Sequence, residues 1–482
     1  MLQGILYALL FLTSVTVGAK VRSPGARQGV LLVASYVLYL TWGPWFALVL
    51  LASTVANFFL GRWLRSQPSG GALAVGIVVN IALLSSFKYL PDAAIHSSFA
   101  FLQPFAHLAM PLGISFWTFQ AMSYLFDLYR GEELDPSLGE FALYIVFFPV
   151  AISGPICRMP DMLPQFRRNE TTKWGEIEQG MRRIATGIFM VQLAKLLGQG
   201  ILGGDGINRG FDRLTKWSGP DVWCLALGYG LQLFLDFAGY SHMAIGAAKA
   251  LGLNVPENFA RPFESGTPSV FWTRWHMSLS FWIRDYVFLP LATVRREIWW
   301  RNLALVISMV AFGLWHRASA LFLLWGLYQG GLLVLHRNFQ QLLRRWNWQP
   351  GRLGTVAGWF VTMALVNLGW IFFRANSLAE AGQMLSDVVS PATYGTHLLS
   401  TTLFVLVGSI AIGYGLAIWM IEAVESQGRA MEGGQAGAGV VRLILRWRWY
   451  WLPALYGLAM LVLLMVTLTG GATAAQFMYR KF

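Results

Sequence analysis

The stretch Gln28–Gly61, QGVLLVASYVLYLTWGPWFALVLLASTVANFFLG, contains no Asp, Glu, Lys or Arg. About 20 apolar residues suffice for a helix to cross the hydrocarbon core of a bilayer, and this run is longer. Trp42-Gly43-Pro44 interrupts it. Gly and Pro punctuate helices, so the run reads as two short spans joined by a tight turn. Equally charge-free runs lie between Asp92 and Asp127, between Asp387 and Glu422, and between Arg448 and Arg480. In 482 residues there are 36 Lys+Arg and 23 Asp+Glu, so charged residues make up 12% against 56% hydrophobic. Soluble domains carry about 25% charge. The chain therefore reads as an all-α polytopic integral membrane protein, with residues 1–482 forming a single membrane domain. The apolar runs are continuous rather than alternating, which excludes an outer-membrane barrel. Disorder, collagen, a disulfide-rich secreted fold and a cytosolic enzyme are excluded by composition.

Apolar segments fall near residues 2–19, 29–41, 45–61, 71–87, 99–126, 138–156, 184–204, 222–250, 302–336, 353–373, 398–421 and 449–470. Several are too long or too broken for one straight helix, so roughly 10–12 spans are expected, some of them re-entrant. Residues 1–19 look like a signal-peptide core, but no Lys or Arg precedes the apolar run and a second run follows. They are expected to remain as the first span. Lys20, Arg22 and Arg27, then Arg62 and Arg65, mark cytoplasmic loops and place the N-terminus outside. Simple alternation does not bring the basic stretches 158–183, 295–301 and 337–352 to one side, hence the re-entrant segments. Such loops, facing anionic headgroups, account for the net charge of +13 without nucleic acid as a partner. Cys157 and Cys224 have neither metal-ligand nor disulfide spacing and read as small apolar packers. No metal site is expected.

The middle of the chain is apolar but punctuated. Phe271–Leu291, FWTRWHMSLSFWIRDYVFLPL, holds Arg274, His276, Arg284 and Asp285. Ionisable groups inside a membrane usually face a cavity or a partner. An interfacial amphipathic helix with Arg and Trp at headgroup level accounts for the stretch about as well. If helical, it places Arg274 and Ser278 on one face. Asn302–Leu335 carries Trp315-His316-Arg317 at its middle. On a helix, His316 lies about 20 Å beyond Arg301. A lone buried histidine is more often a packed residue than a catalyst, yet imidazole is the side chain suited to proton transfer near neutrality. Leu231–Gly246, LQLFLDFAGYSHMAIG, places Asp236 in an apolar helix ahead of Tyr240 and His242. A nearby Arg or backbone amide would satisfy Asp236, and a proton or ion pathway is the sharper reading.

Five blocks in order resemble the membrane-bound O-acyltransferase family. They are PLGISFWTFQAMSYLFDLYRG from Pro111, FFPVAISGPICRMPDMLPQF from Phe147, LDFAGYSHMAIG from Leu235, PENFARPF with FWTRWHMSLSFWIRDYVFLPL, and FGLWHRASALFLLWGLYQG from Phe312. GWIFFRA from Gly369 is a weaker sixth. Together they cover residues 111–375. The resemblance is strongest to the bacterial branch that includes the alginate O-acetylation and teichoic-acid D-alanylation membrane subunits.

The resemblance implies a ring of helices around a central tunnel and transfer of an acyl group from a cytoplasmic thioester to a hydroxyl. It places the signature histidine on His316 and a second family histidine on His276. Substrate contacts then fall on Trp275, Ser278, Tyr240, Arg317, Asp236, Arg284 and Asp285, with the last three of these also readable as ion-pairing or carrier-contact residues. No tightly bound cofactor is implied. The donor is acetyl-CoA or another acyl thioester, including one on an acyl carrier protein. The acceptor is an extracellular or periplasmic polysaccharide, or a partner acetyltransferase, and the location is a bacterial inner membrane. D-alanyl transfer to teichoic acid is the alternative within the family. A transporter or flippase with a His/Asp proton relay is the alternative of another class, against which no internal repeat is seen. Two departures stand out. Arg317 occupies a position where the family usually has Gly, and ATVRRE follows Leu291 where alginate-type proteins carry a Gly-Gly-Asn-Arg turn.

Overall fold

The computed structural model describes residues 2–432 apart from 96, 100, 202–203 and 214–215. The expected span 449–470 lies outside the described residues. In chain order the helices are α1 (Leu2–Lys20), α2 (Pro24–Leu40), α3 (Pro44–Ser66), α4 (Gly70–Lys88), α5 (Leu90–Ile95), α6 (Ile114–Tyr129), α7 (Leu138–Val146), α8 (Met159–Phe166) and α9 (Trp174–Gln199). They continue with α10 (Ile207–Arg213), α11 (Gly219–Ala250), α12 (Pro268–Trp272), α13 (Met277–Ile283), α14 (Leu289–Thr293), α15 (Ile298–His316), α16 (Ala320–Arg345), α17 (Arg352–Arg374), α18 (Leu378–Val389) and α19 (Thr401–Glu432). Among the described residues there is no strand.

Seven described helices are long and apolar enough to cross a membrane: α1, α3, α4, α11, α15, α17 and the 401–423 part of α19. The chain is thus an all-α, multi-pass membrane protein. α11 buries 89% of its most apolar window and α1 only 11%, so α11 is an interior helix and α1 turns its apolar surface outward. Leu48, Leu51 and Phe59 on α3 and Val75, Val78 and Ile81 on α4 are exposed. An apolar surface of this kind suits lipid and not water.

The chain forms two compact units. Among the described residues, the first comprises 2–187, 240–260 and 272–318, and the second comprises 188–239, 261–271 and 319–432. In the first unit, α3 and α4 are pinned by a reciprocal amide pair. Asn80 Nδ2 donates to Asn57 Oδ1 at 2.6 Å, and Asn57 Nδ2 donates to Asn80 Oδ1 at 3.2 Å. Polar side chains between helices serve as such pins where lipid offers them no partner. In the same unit α9 crosses α11 at Gly180 and Gly246. A Cβ on Gly180 would lie 2.5 Å from the Gly246 carbonyl oxygen, and one on Gly246 would lie 2.6 Å from that of Gly180. Only two glycines allow backbones to approach so closely.

The Trp42-Gly43-Pro44 turn separates α2 from α3 as expected. Other expected segments are broken. The 99–126 run forms its α-helix only from Ile114, after Pro104, Pro111 and Gly113. Gly113 has φ +74, and a Cβ there would lie 1.9 Å from the Ala151 carbonyl oxygen, so the bend requires glycine. The 138–156 run ends its helix at Val146, ahead of Pro149 and Gly154-Pro155. α9 begins at Trp174, ten residues before its expected start at 184.

Phe271–Leu291 is likewise not one helix. A turn at 273–276 precedes α13, and a π-turn at Arg284–Phe288 precedes α14. Arg274 therefore shares no helix with Ser278. The π-turn has a local cause. Pro290 has no N–H for the carbonyl of Tyr286, and its ring crowds that carbonyl. The ladder widens there, and Leu289 N–H reaches back to the Arg284 carbonyl instead.

Candidate functional site

The run Asn302–Leu335 is two helices, α15 and α16. α15 ends at His316, Arg317 takes an extended conformation, and the Ser319 hydroxyl caps α16 by accepting from Phe322 N–H at 3.5 Å. His316 therefore sits at the end of a span and not at the middle of one. The residue is only 5% exposed. Phe312, four residues earlier and so on the same helix face, stacks on it with centroids 5.4 Å apart and planes 19° apart. The Trp315 ring is also in contact, with centroids 4.7 Å apart.

His276 approaches the same aromatic pair from the turn before α13. Its ring is 6.2 Å from that of Phe312 and 6.4 Å from that of Trp315. It is 1% exposed, and its backbone is left-handed, with φ 44 and ψ 52. Left-handed backbone on a residue with a Cβ costs about 1–2 kcal/mol and persists only where surrounding contacts hold it.

Here those contacts come from Asn258, which is 0% exposed. The Asn258 carbonyl accepts from Met277 N–H at 2.8 Å, and its Oδ1 accepts from the Ser278 hydroxyl at 2.7 Å and from Ser278 N–H at 3.3 Å. Its Nδ2 donates to the Ser241 hydroxyl at 3.1 Å. The Ser278 hydroxyl also accepts from Ile156 N–H at 3.0 Å, joining a third segment to the turn. Asn258→Ala strands several buried polar groups, so it should lower stability by about 2 kcal/mol. It should also loosen the His276 turn. Thermal unfolding and transfer activity measured together check this, and an active variant of unchanged stability would remove Asn258 from the site's support.

The end of α4 closes the aromatic cluster. Lys88 holds its ammonium 4.7 Å from the centre of the Trp315 ring, a cation–π contact. Tyr89 donates its hydroxyl to the Leu314 carbonyl at 3.0 Å. The last carbonyls of a helix lack partners within it, so this bond both satisfies one and fixes where α15 ends. Phe119, 5.4 Å from the Trp315 ring, packs on the same indole.

Arg284 and Asp285 belong to a separate polar cluster around the π-turn. Asp285 Oδ2 is 2.9 Å from Arg158 Nη2, and its Oδ1 is 2.7 Å from Arg284 Nε. Arg130 Nη2 donates to the Asp285 carbonyl at 2.6 Å. Arg158 also donates to the Tyr286 hydroxyl at 3.2 Å, which in turn donates to Asp127 at 2.7 Å. This is the ion-pairing arrangement that the sequence allowed for Arg284 and Asp285.

Of the residues singled out from sequence, His276, Ser278 and His316 meet in one unit, with Trp275 buried edge-on against Phe259 at 5.2 Å. Arg317 is exposed at the cap of α15. Tyr240 is half-buried on α11, and Asp236 is on the part of α11 that belongs to the second unit. Sequence reasoning passed over Asn258, Arg158, Lys88 and Tyr89. A signal existed for the first two, which lie inside quoted blocks. Lys88 was visible only as the charge that ends a span. The two cysteines are buried free thiols, as expected.

Comparison with known proteins identifies the family. The profile of the membrane-bound O-acyltransferase family matches residues 79–376, which include both histidines and Lys88. The probable alginate O-acetylase AlgI of Pseudomonas aeruginosa is 34% identical over 391 residues, covering 78% of this chain and 71% of that protein. A peptidoglycan O-acetyltransferase of Helicobacter pylori is 31% identical over 398 residues, 74% of this chain and 73% of that one. A teichoic acid D-alanyltransferase of Bacillus subtilis is 31% identical over 280 residues, 55% of this chain and 69% of its own length. On the extent of these matches, the chain belongs to the membrane-bound O-acyltransferase family and is an O-acyltransferase.

Proposed function

We propose that the protein moves an acetyl group from a cytoplasmic thioester, acetyl-CoA, to hydroxyls of a polysaccharide outside the bacterial inner membrane, directly or through a partner acetyltransferase. The observation that carries this reading is the aromatic cluster in which His316 and His276 face the same two rings, Phe312 and Trp315. α15 begins among Arg295, Arg296 and Arg301 and ends at His316. By the positive-inside rule the arginine end is cytoplasmic, so His316 lies toward the outer face, where the acceptor is.

In this reading the neutral imidazole of His316 takes the proton of the acceptor hydroxyl as its oxygen bonds to the acyl carbon. The carbonyl electrons pass to oxygen, giving a tetrahedral oxyanion. Its collapse restores the carbonyl and breaks the C–S bond, and the departing thiolate takes the proton back from His316. His276 orients the acceptor or donates to the oxyanion. Trp275 and Ser278 shape the turn that presents His276, and Arg317 at the exposed cap faces incoming substrate. Tyr240, on the part of α11 that belongs to the same unit as the histidines, is a further proposed substrate contact. No tightly bound cofactor takes part.

The longer match to O-acetylating relatives favours acetyl over D-alanyl. Membranes containing the protein should release free CoA from acetyl-CoA when given polysaccharide acceptor, and should leave a D-alanyl carrier thioester intact. The opposite preference would overturn the acetyl assignment, and indifference to both would overturn the transfer reading.

A further inference from the structure

Lys88 has no role in the chemistry described so far, yet it ends a span against Trp315, the ring that both histidines approach. We propose that Lys88 supplies the positive charge that stabilises the oxyanion formed beside His316. This rests on the acyl-transfer reading above.

Three observations lead to it. First, the ammonium lies against Trp315, whose ring also touches that of His316, with 4.7 Å to the indole centroid in each case. The indole thus sets the placement of both groups. Second, the placement is fixed and not incidental. Asn57 and Asn80 tie α4 to α3, and Tyr89, the next residue, is hydrogen-bonded to the Leu314 carbonyl. Lys88 therefore cannot shift along the helix without breaking the bond that terminates α15.

Third, Lys88 differs from the carboxylate-paired arginines of its unit in what it holds. Arg158, Arg167 and Arg183 each hold a carboxylate, on Asp285, Glu140 and Glu257. Among the described residues no carboxylate is within ion-pairing distance of Lys88, and the face of Trp315 is its contact. Aromatic faces hold a cation with only a fraction of the strength of an anion. A half-buried ammonium kept on an aromatic face is available to a negative charge that arises only during reaction. The proposed mechanism creates such a charge, on the carbonyl oxygen of the acyl group, as the C–O bond forms. In a site walled by Phe119, Phe312 and Trp315 water screens little, so a fixed cation acts strongly on it. Because the charge is absent from the reacting carbonyl of the bound thioester, the effect falls on turnover and not on substrate binding.

The test uses the full-length protein in liposomes, with acetyl-CoA as donor and an alginate oligosaccharide as acceptor, and compares the parent with Lys88→Met and Lys88→Arg. Met keeps most of the length of the side chain without the charge. We expect kcat to fall about 100-fold in Lys88→Met with KM for both substrates unchanged, and the melting temperature to stay level or rise. Lys88→Arg should recover at least about a tenth of the parental turnover. A rise in KM at constant kcat would mean that Lys88 holds an anionic group of a substrate, acceptor carboxylate or CoA phosphate, and would overturn the proposal. A lower melting temperature that tracks the lost activity would make Lys88 a structural clamp on Trp315, with the same consequence. An arginine variant as slow as the methionine variant at unchanged stability would show that charge is not what the position needs. Should the parent itself turn over neither acetyl-CoA nor a D-alanyl carrier, the acyl-transfer reading fails and takes this inference with it. Parent turnover with an equally fast Lys88→Met refutes the Lys88 role alone.

Discussion

His316→Ala and His316→Gln are both expected to lose acyl transfer by about 100- to 10,000-fold, the range a general base contributes. The two substitutions differ in what they do to the fold. The ring is buried and stacked on Phe312, so alanine leaves a void at the end of α15 and should lower the melting temperature. Glutamine fills most of that void and can still form hydrogen bonds, but its amide accepts no proton near neutrality. The pair separates chemistry from packing. If the glutamine variant transferred acyl groups at the parental rate, His316 would be a packed residue and the base would have to be sought elsewhere. The assay is transfer of labelled acyl group into acceptor, normalised to the amount of folded protein in the membrane.

For His276 the backbone predicts an order among variants. Its φ of 44 favours residues that tolerate left-handed geometry, and Asn is enriched there among residues other than glycine. His276→Asn should keep the turn and a hydrogen-bonding side chain, and so retain activity within about tenfold of the parent, in line with the loss of one of two hydrogen-bonding positions. His276→Ala keeps neither and should lower kcat about 100- to 1,000-fold, as removal of one oxyanion donor does. Because Asn258 also fixes this turn through Met277 and Ser278, the alanine variant should still fold. Equal activity of the two variants, measured as kcat at saturating donor, would refute a direct role for the side chain.

The membrane character of the chain was legible from residues alone, and the two histidines on which these experiments turn were singled out by the family resemblance. Charge scarcity is a property of composition. Transfer of charge into hydrocarbon is so costly that spans exclude it, and a long uncharged run is the mark this leaves in the sequence. The histidines were legible because they sit in ordered blocks of the family pattern. What was not legible is where helices stop. The 99–126 and 302–336 runs look continuous because hydropathy does not register a left-handed glycine such as Gly113 or an extended residue such as Arg317. The helix boundary at His316 depends on a bond from Tyr89, more than 200 residues earlier in the chain. Asn258 was equally silent. A buried amide that organises a turn is indistinguishable in sequence from one that faces water.

Sequence by itself, then, determined the solvent of this protein, its helical class and its family, and singled out two histidines for test, because each of these depends on local composition or on a linear order of motifs. Tertiary structure decided that His276 and His316 share the rings of Phe312 and Trp315, that Arg284 and Asp285 belong to another cluster, and that Lys88 stands at the site at all. The physical reason is distance along the chain. Lys88 precedes Asn258 by 170 positions, and Asn258 precedes His276 by 18. Only packed helices and satisfied backbone groups convert such separations into contact.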